Sequence, residues 1–289
     1  MNLPIFVCPF DPTLLRRFTG AAVVVRVDRP ARVADAVAAA EDSGNALFCV
    51  ILDSACPLDQ IEFGDDLKDT PLAVRAPSLG KFRNLVRHLD RLKRLDLRVH
   101  LPCDRAGNIT GLRILSSVGL RGCAVIGNGK TDWEALADLM TYAVLEPVPH
   151  ASIEPFATIA ARYDPQACLD WGGVQFEDPS RFLHMDRQGR IALSRRELEE
   201  SKFIAQDLSE LSGQAQHPAV RERLDAGRRM FAENHPCASC AGWKVCLGKF
   251  AATAAEDRGC EALFAEMIAA ALQRQAAKSC DPEPKPWPP

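Results

Sequence analysis

The sequence predicts an α/β protein built on a parallel sheet, and three observations carry that prediction. Apolar runs of strand length recur through the first 160 residues, segments of helical periodicity separate them, and 289 residues suffice to bury a large core. A parallel strand is buried on both faces, so it reads as a nearly unbroken apolar run rather than an alternating one.

Taken in order, Ala21 to Val27 is the first such run, and Ala31 to Ser43 follows with Val33, Ala36, Val37 and Ala40 at helical spacing. Ala46 to Leu52 and Leu72 to Ala76 read as the second and third strands, and Leu79 to Leu95 as one strongly basic helix. Leu97 to Leu101 is the fourth strand, Ile109 to Val118 a short helix and Gly122 to Ile126 the fifth strand. Thr131 is placed to cap a helix through Trp133, Leu136 and Met140, and Ala151 to Phe156 completes six strands. Six βα units fit an open or partial barrel, and a doubly wound sheet would read almost the same.

The pattern changes near residue 160. Phe182 to Met185 and Arg190 to Leu193 flank Asp186-Arg187-Gln188-Gly189, a hairpin with glycine at its turn. Val220, Leu224 and Phe231 stripe an amphipathic helix, and Phe264, Met267, Ile268, Ala271 and Leu272 stripe a last one. The tail from Cys280 to Pro289 holds too many prolines to pack and reads as a loose extension.

Composition narrows the function classes. A formal charge of −3 favours neither nucleic acid nor an acidic membrane surface, and no run reaches the roughly 18 apolar residues of a spanning helix. Eleven cysteines at mostly irregular spacing, behind an N-terminal stretch with no basic n-region, predict a reducing cytoplasm rather than a secreted disulfide scaffold. The cationic run Lys81, Arg83, Arg87, His88, Arg91, Lys93 and Arg94 reads first as a solvated face, and second as a surface for an acidic partner.

One stretch concentrates chemistry. His235-Pro-Cys237-Ala-Ser-Cys240-Ala-Gly-Trp-Lys-Val-Cys246, with Cys260 downstream, gives the spacing C-x2-C-x5-C-x13-C. A C-x2-C pair lets two sulfurs converge through a tight loop, and two later thiols complete a tetrathiolate set suited to Zn²⁺ or an iron–sulfur cluster. Of the other cysteines, Cys49 and Cys123 lie inside apolar strands and read as small core residues. Cys8, Cys56 and Cys103 could form a second metal site, though idle thiols are the commoner outcome. Asp28, Asp53, Arg75, His100 and Glu154 fall at strand ends, where βα enzymes place their chemistry.

A βα half, a glycine-turn hairpin, an amphipathic helix and C-x2-C-x5-C with a later Cys resemble, in that order, the radical-SAM enzymes with a C-terminal SPASM domain. These are typically peptide-modifying maturases. The resemblance implies a partial (β/α)6 barrel over residues 1–160, a SPASM-like α+β domain over 161–278 and a Pro-rich tail over 279–289. It implies that Cys237, Cys240, Cys246 and Cys260 match the ligands of the second auxiliary [4Fe–4S] cluster. Positions that would serve the first auxiliary cluster hold Ser194, four residues beyond Gly189, and Phe250, three beyond Cys246. The C-x3-C-x2-C of the catalytic cluster occurs nowhere, and Asp53-Ser54-Ala55-Cys56-Pro57 stands where the family carries Gly-Gly-Glu-Pro.

The resemblance therefore implies a pseudo-radical-SAM protein that binds one [4Fe–4S] cluster and no S-adenosylmethionine. It would serve as a binding, electron-transfer or scaffold partner in peptide or cofactor maturation. Its expected partner is a precursor peptide or a second maturation enzyme, with no nucleic acid and no membrane. Two alternatives stand beside it: an enzyme of another type using Asp53, Cys56, Arg75 and His100, and a structural zinc-bearing scaffold.

Overall fold

In a computed structural model, residues 4–64, 67–127, 131–211, 217–251 and 259–278 are described. Nine strands form one open sheet in the order β7-β6-β5-β4-β3-β2-β1-β8-β9. They are β1 (Ile5–Pro9), β2 (Ala22–Val27), β3 (Ala46–Asp53), β4 (Leu72–Arg75), β5 (Leu97–Pro102), β6 (Arg121–Val125), β7 (Ile153–Glu154), β8 (Phe182–Met185) and β9 (Ile191–Ala192). Every neighbouring pair is parallel except β8 with β9, which is the hairpin expected from Gly189. At that turn Gly189 has φ +90°, a conformation that glycine adopts without steric cost.

The helices are α1 (Pro12–Arg16), α2 (Val33–Asp42), α3 (Phe82–Val86), α4 (Leu89–Leu92), α5 (Ala106–Ser117), α6 (Trp133–Leu145) and α7 (Phe156–Arg162). After the hairpin come α8 (Arg195–Glu199), α9 (Pro218–Ala232), α10 (Trp243–Cys246) and α11 (Gly259–Lys278). The α/β class holds, with corrections. Ile5–Pro9 is a strand that the sequence reading passed over, so the run expected to be first is second in the chain and β1 lies between β2 and β8. The basic helix is two short helices separated at Arg87 and His88, with Leu85 and Leu92 as its buried anchors. The strand expected to reach Phe156 stops at Glu154, because Pro155 has no amide to donate to the ladder. Asp132, not Thr131, caps α6 by accepting from the Ala135 amide.

Alternate residues of each strand face opposite sides, and here the two sides differ in kind. Phe6, Val23, Val25, Val50, Leu52, Val74, Val99, Leu101 and Ala124 belong to one large core shared with α1, α2, α5, α6, α7 and α11. Val7, Val24, Cys49, Ile51, Ala73 and Phe182 form a second, smaller cluster with Phe176 on the other side. The doubly wound arrangement would place helices against both faces. Here the inner face is instead covered by an irregular segment that contains a 3₁₀ turn, Trp171–Gln175. The hairpin continues the same sheet, and α11 packs against α6 and α7. The tail 279–289 lies outside the described residues.

One aromatic cluster joins these parts. Trp171 is 1% exposed and meets Phe156, Phe250 and Phe264 edge-on, with ring centroids 5.7, 6.1 and 5.3 Å away. Phe250 also meets Trp133 of α6 at 5.5 Å. Truncating a buried indole of this kind typically costs about 3–5 kcal/mol. Trp171→Ala should lower unfolding stability by that amount in a denaturant titration, whereas a loss below about 1 kcal/mol would show the cluster to be incidental.

Candidate functional site

Two places could carry chemistry: a polar row across the sheet and the cysteine corner. The row follows from register. Asp53 pairs with Arg75, Arg75 with His100, His100 with Cys123 and Cys123 with Glu154. Paired residues of a parallel sheet share a face, so these five side chains stand level across β3 to β7 on the inner side. Sequence reasoning had collected Asp53, Arg75, His100 and Glu154. It missed Arg26, Arg98, Cys123 and His184, although the first two interrupt their strands in the same two-residue phase. Asp28 and Cys56 do not join the row: Asp28 is an exposed partner of Arg32, and Cys56 sits exposed on the turn made by Ser54.

Asp53 is the electrostatic centre of the row. Arg26 reaches it at 2.6 Å, Arg195 at 3.1 Å and Arg75 at 3.8 Å. Burial would raise the Asp53 pKa, but these three guanidiniums outweigh it and hold the carboxyl below its ordinary value. Burial lowers the Arg75 pKa despite the neighbouring Asp53. His100 is 1% exposed and held well below its ordinary pKa by burial, then by Arg75 and Arg98, so its ring is neutral. Among the described residues, neither of its nitrogens has a hydrogen-bond partner. Burial likewise lowers His184 to about 4, against the hydrogen bond that its Nε2 makes with the Phe176 carbonyl at 2.9 Å.

The segment over the row is itself acidic. Glu177 and Lys249 pair at 3.0 Å, and that ammonium outweighs burial to keep the Glu177 pKa low. Asp170 caps the 3₁₀ turn by accepting from the Gly172 amide at 2.6 Å. Burial, and then Asp178, raise its pKa to about 6, with Glu177 adding to the repulsion and the Gly172 amide and Lys249 opposing it.

In the cysteine corner, Pro236–Ser239 forms a 3₁₀ turn capped by His235, whose Nδ1 accepts from the Cys237 amide at 3.2 Å. The Cys240 amide bonds back to the Cys237 carbonyl at 3.2 Å, which closes the C-x2-C loop. Gly242 then lies against Phe264 so closely that a Cβ there would collide with it, which fixes this loop on α11 one turn beyond Cys260. Cys246 ends α10, and Leu247 and Gly248 turn left-handed with φ +51° and +76°. Within that turn the Lys249 amide donates back to the Cys246 carbonyl at 3.0 Å. Burial raises this thiol to about 11, the nearby amides of Phe250, Gly248 and Lys249 oppose the rise, and Cys260 adds to it.

The donor set thus suits thiolate ligation, and the local fit is best at Cys246, where amide donors favour the charged sulfur. The wider arrangement is less complete. Among the described residues, no three or more His, Cys, Asp or Glu side chains stand in a group that could hold a metal ion. The four thiols share one corner of the fold without being gathered into one coordination shell. A second site from Cys8, Cys56 and Cys103 is also not assembled, because Cys8 and Cys103 belong to the helix-facing core and Cys56 is exposed.

Ser194 and Phe250, which interrupt the family's spacing, both have work here. Ser194 caps α8 by accepting from the Glu197 amide, and Phe250 fills the aromatic cluster. No helix among the described residues is long and apolar enough to cross a membrane. Comparison with protein-family models, with curated proteins and with solved structures finds no match.

The raised Asp170 pKa fixes a sign. A carboxyl held at about 6 in the folded state, against 3.8 as the ordinary value, makes folding less favourable as pH rises through that window. Asp170→Asn keeps the acceptor for Gly172 and removes the charge. The variant should therefore be more stable than the parent at pH 7.5, and the gap should close below about pH 4. A gap that stays constant from pH 4 to pH 8 in parallel denaturant titrations would contradict the assignment.

Proposed function

We propose that this chain is a non-radical iron–sulfur protein of the SPASM-bearing radical-SAM type, acting as a binding, electron-transfer or scaffold partner in peptide or cofactor maturation. The observation that carries the reading is the Cys246 turn. A half-buried thiol sits at a left-handed turn whose Lys249 amide bonds back to the Cys246 carbonyl, inside a C-x2-C-x5-C segment whose fourth thiol is delivered by α11. The backbone amides near this sulfur lower its pKa against the effect of burial, which favours the thiolate. Winding of the helices on one face of the sheet supports the partial-barrel reading of the first 160 residues.

Cys237, Cys240, Cys246 and Cys260 would hold the cluster, and the loop from residue 237 to 250 would close over Cys260 to complete the set. Four thiolates leave no iron open, so a cluster held this way supplies rigidity or single electrons and not substrate activation. The rest of the chain agrees with a partner role. Asp53 is engaged with Arg26, Arg75 and Arg195, and Trp171 to Asp178 cover the inner face of the sheet.

Anaerobic purification followed by iron and acid-labile sulfide analysis tests the proposal. About four of each per chain are expected, falling sharply in Cys246→Ala and Cys260→Ala. Stoichiometric zinc in protein made with ample iron would replace the cluster by a structural zinc site. The enzyme alternative keeps one observation in its favour, the unpartnered His100 ring in the row. It requires Asp53→Asn and His100→Ala to abolish a pathway activity while the metal content stays intact.

A further inference from the structure

We infer that residues 171–178 form a plug over the polar row and that Lys249 is its latch, so that the loop wrapping Cys246 governs access to the inner face of the sheet. The plug is seated by specific contacts. The Gln175 side chain, 2% exposed, donates to the Ala124 carbonyl at 2.8 Å, and the Gln175 backbone carbonyl accepts from Arg75 at 3.2 Å. The Phe176 ring stacks on His100 at 6.4 Å and its carbonyl accepts from His184. To sit there, Phe176 takes φ +63°, a left-handed backbone that a bulky side chain adopts only under restraint.

The restraint comes from the cysteine corner. Lys249 Nζ lies 3.0 Å from Glu177 Oε2 and 3.3 Å from Gln175 Oε1, and the Lys249 amide donates to the Cys246 carbonyl at 3.0 Å. The Leu169 amide also donates to the Lys244 carbonyl at 2.8 Å, so both ends of the covering segment are tied to this corner. One residue therefore belongs to the thiol turn through its backbone and to the plug through its side chain. The latch follows from these contacts alone and holds with or without iron in the corner.

The chain carries its own reporters. Cys123 lies in the row beneath the plug, where its thiol feels Lys249, Glu154, Arg98 and Arg75, and Cys49 packs with Phe176 on the same face. Cys8, equally buried, faces the helices and serves as the control. Intact protein would be alkylated with iodoacetamide and each cysteine quantified by peptide mass spectrometry. Lys249→Met should speed Cys123 alkylation about tenfold or more with Cys8 unchanged, as expected for local and not global opening. Glu177→Gln, which breaks the same pair without changing size, should act in the same direction, and the double variant should add little because both changes remove one interaction. Cys123 remaining as slow as in the parent in both single variants would overturn the latch. So would Cys8 and Cys123 accelerating together in both, since that pattern is global unfolding.

Discussion

The packing of Trp171 is the interaction on which the rest of the structure depends. Its indole is the point where the last strand-following helix, α6 through Phe250, the C-terminal helix and the segment over the inner face converge. Its N–H is buried with no hydrogen-bond partner among the described residues, so the site accepts an unmet polar group in exchange for aromatic contact on three sides. Phe250 is the link between that cluster and the cysteines, because it lies in the turn that directly follows Cys246. The cysteine turn and the covering of the sheet are thereby built on one side chain.

Electrostatics repeats the same economy on the inner face. Asp53 gathers three arginines drawn from β2, β4 and α8, so the hairpin region and the βα region are fastened by one carboxylate. With Asp53 engaged in this way, His100 is left without a hydrogen bond among the described residues, and burial keeps it neutral. A face arranged like this serves packing beneath its cover.

The parts legible in the sequence were those with a strong local signal. Five of the βα strands announced themselves because burial on both faces demands unbroken apolar runs, and the hairpin because Gly189 must turn left-handed. β1 was hidden between Pro4 and Pro9, where a short apolar run looks like a chain start. The division of the basic segment at Arg87 and His88 has no glycine or proline to mark it. In the candidate site, Asp53, Arg75 and His100 were visible as polar residues at strand ends, but their shared row depends on register, a nonlocal property. The cover could not be read at all, since Trp171 to Glu177 owes its place to contacts with residues up to about a hundred positions away, as in the bond from Arg75 to Gln175.

The central claim is that the cysteine turn and the cover over the sheet are one mechanical unit centred on Trp171. Native-state hydrogen exchange under rising denaturant tests it most directly, by following the amides of Phe176 and Glu177 together with those of Val245, Cys246 and Leu247, all hydrogen-bonded locally. The account predicts that both sets open with the same free energy and the same denaturant dependence. A cysteine turn that opens at lower free energy, with no change at Phe176 and Glu177, would contradict it.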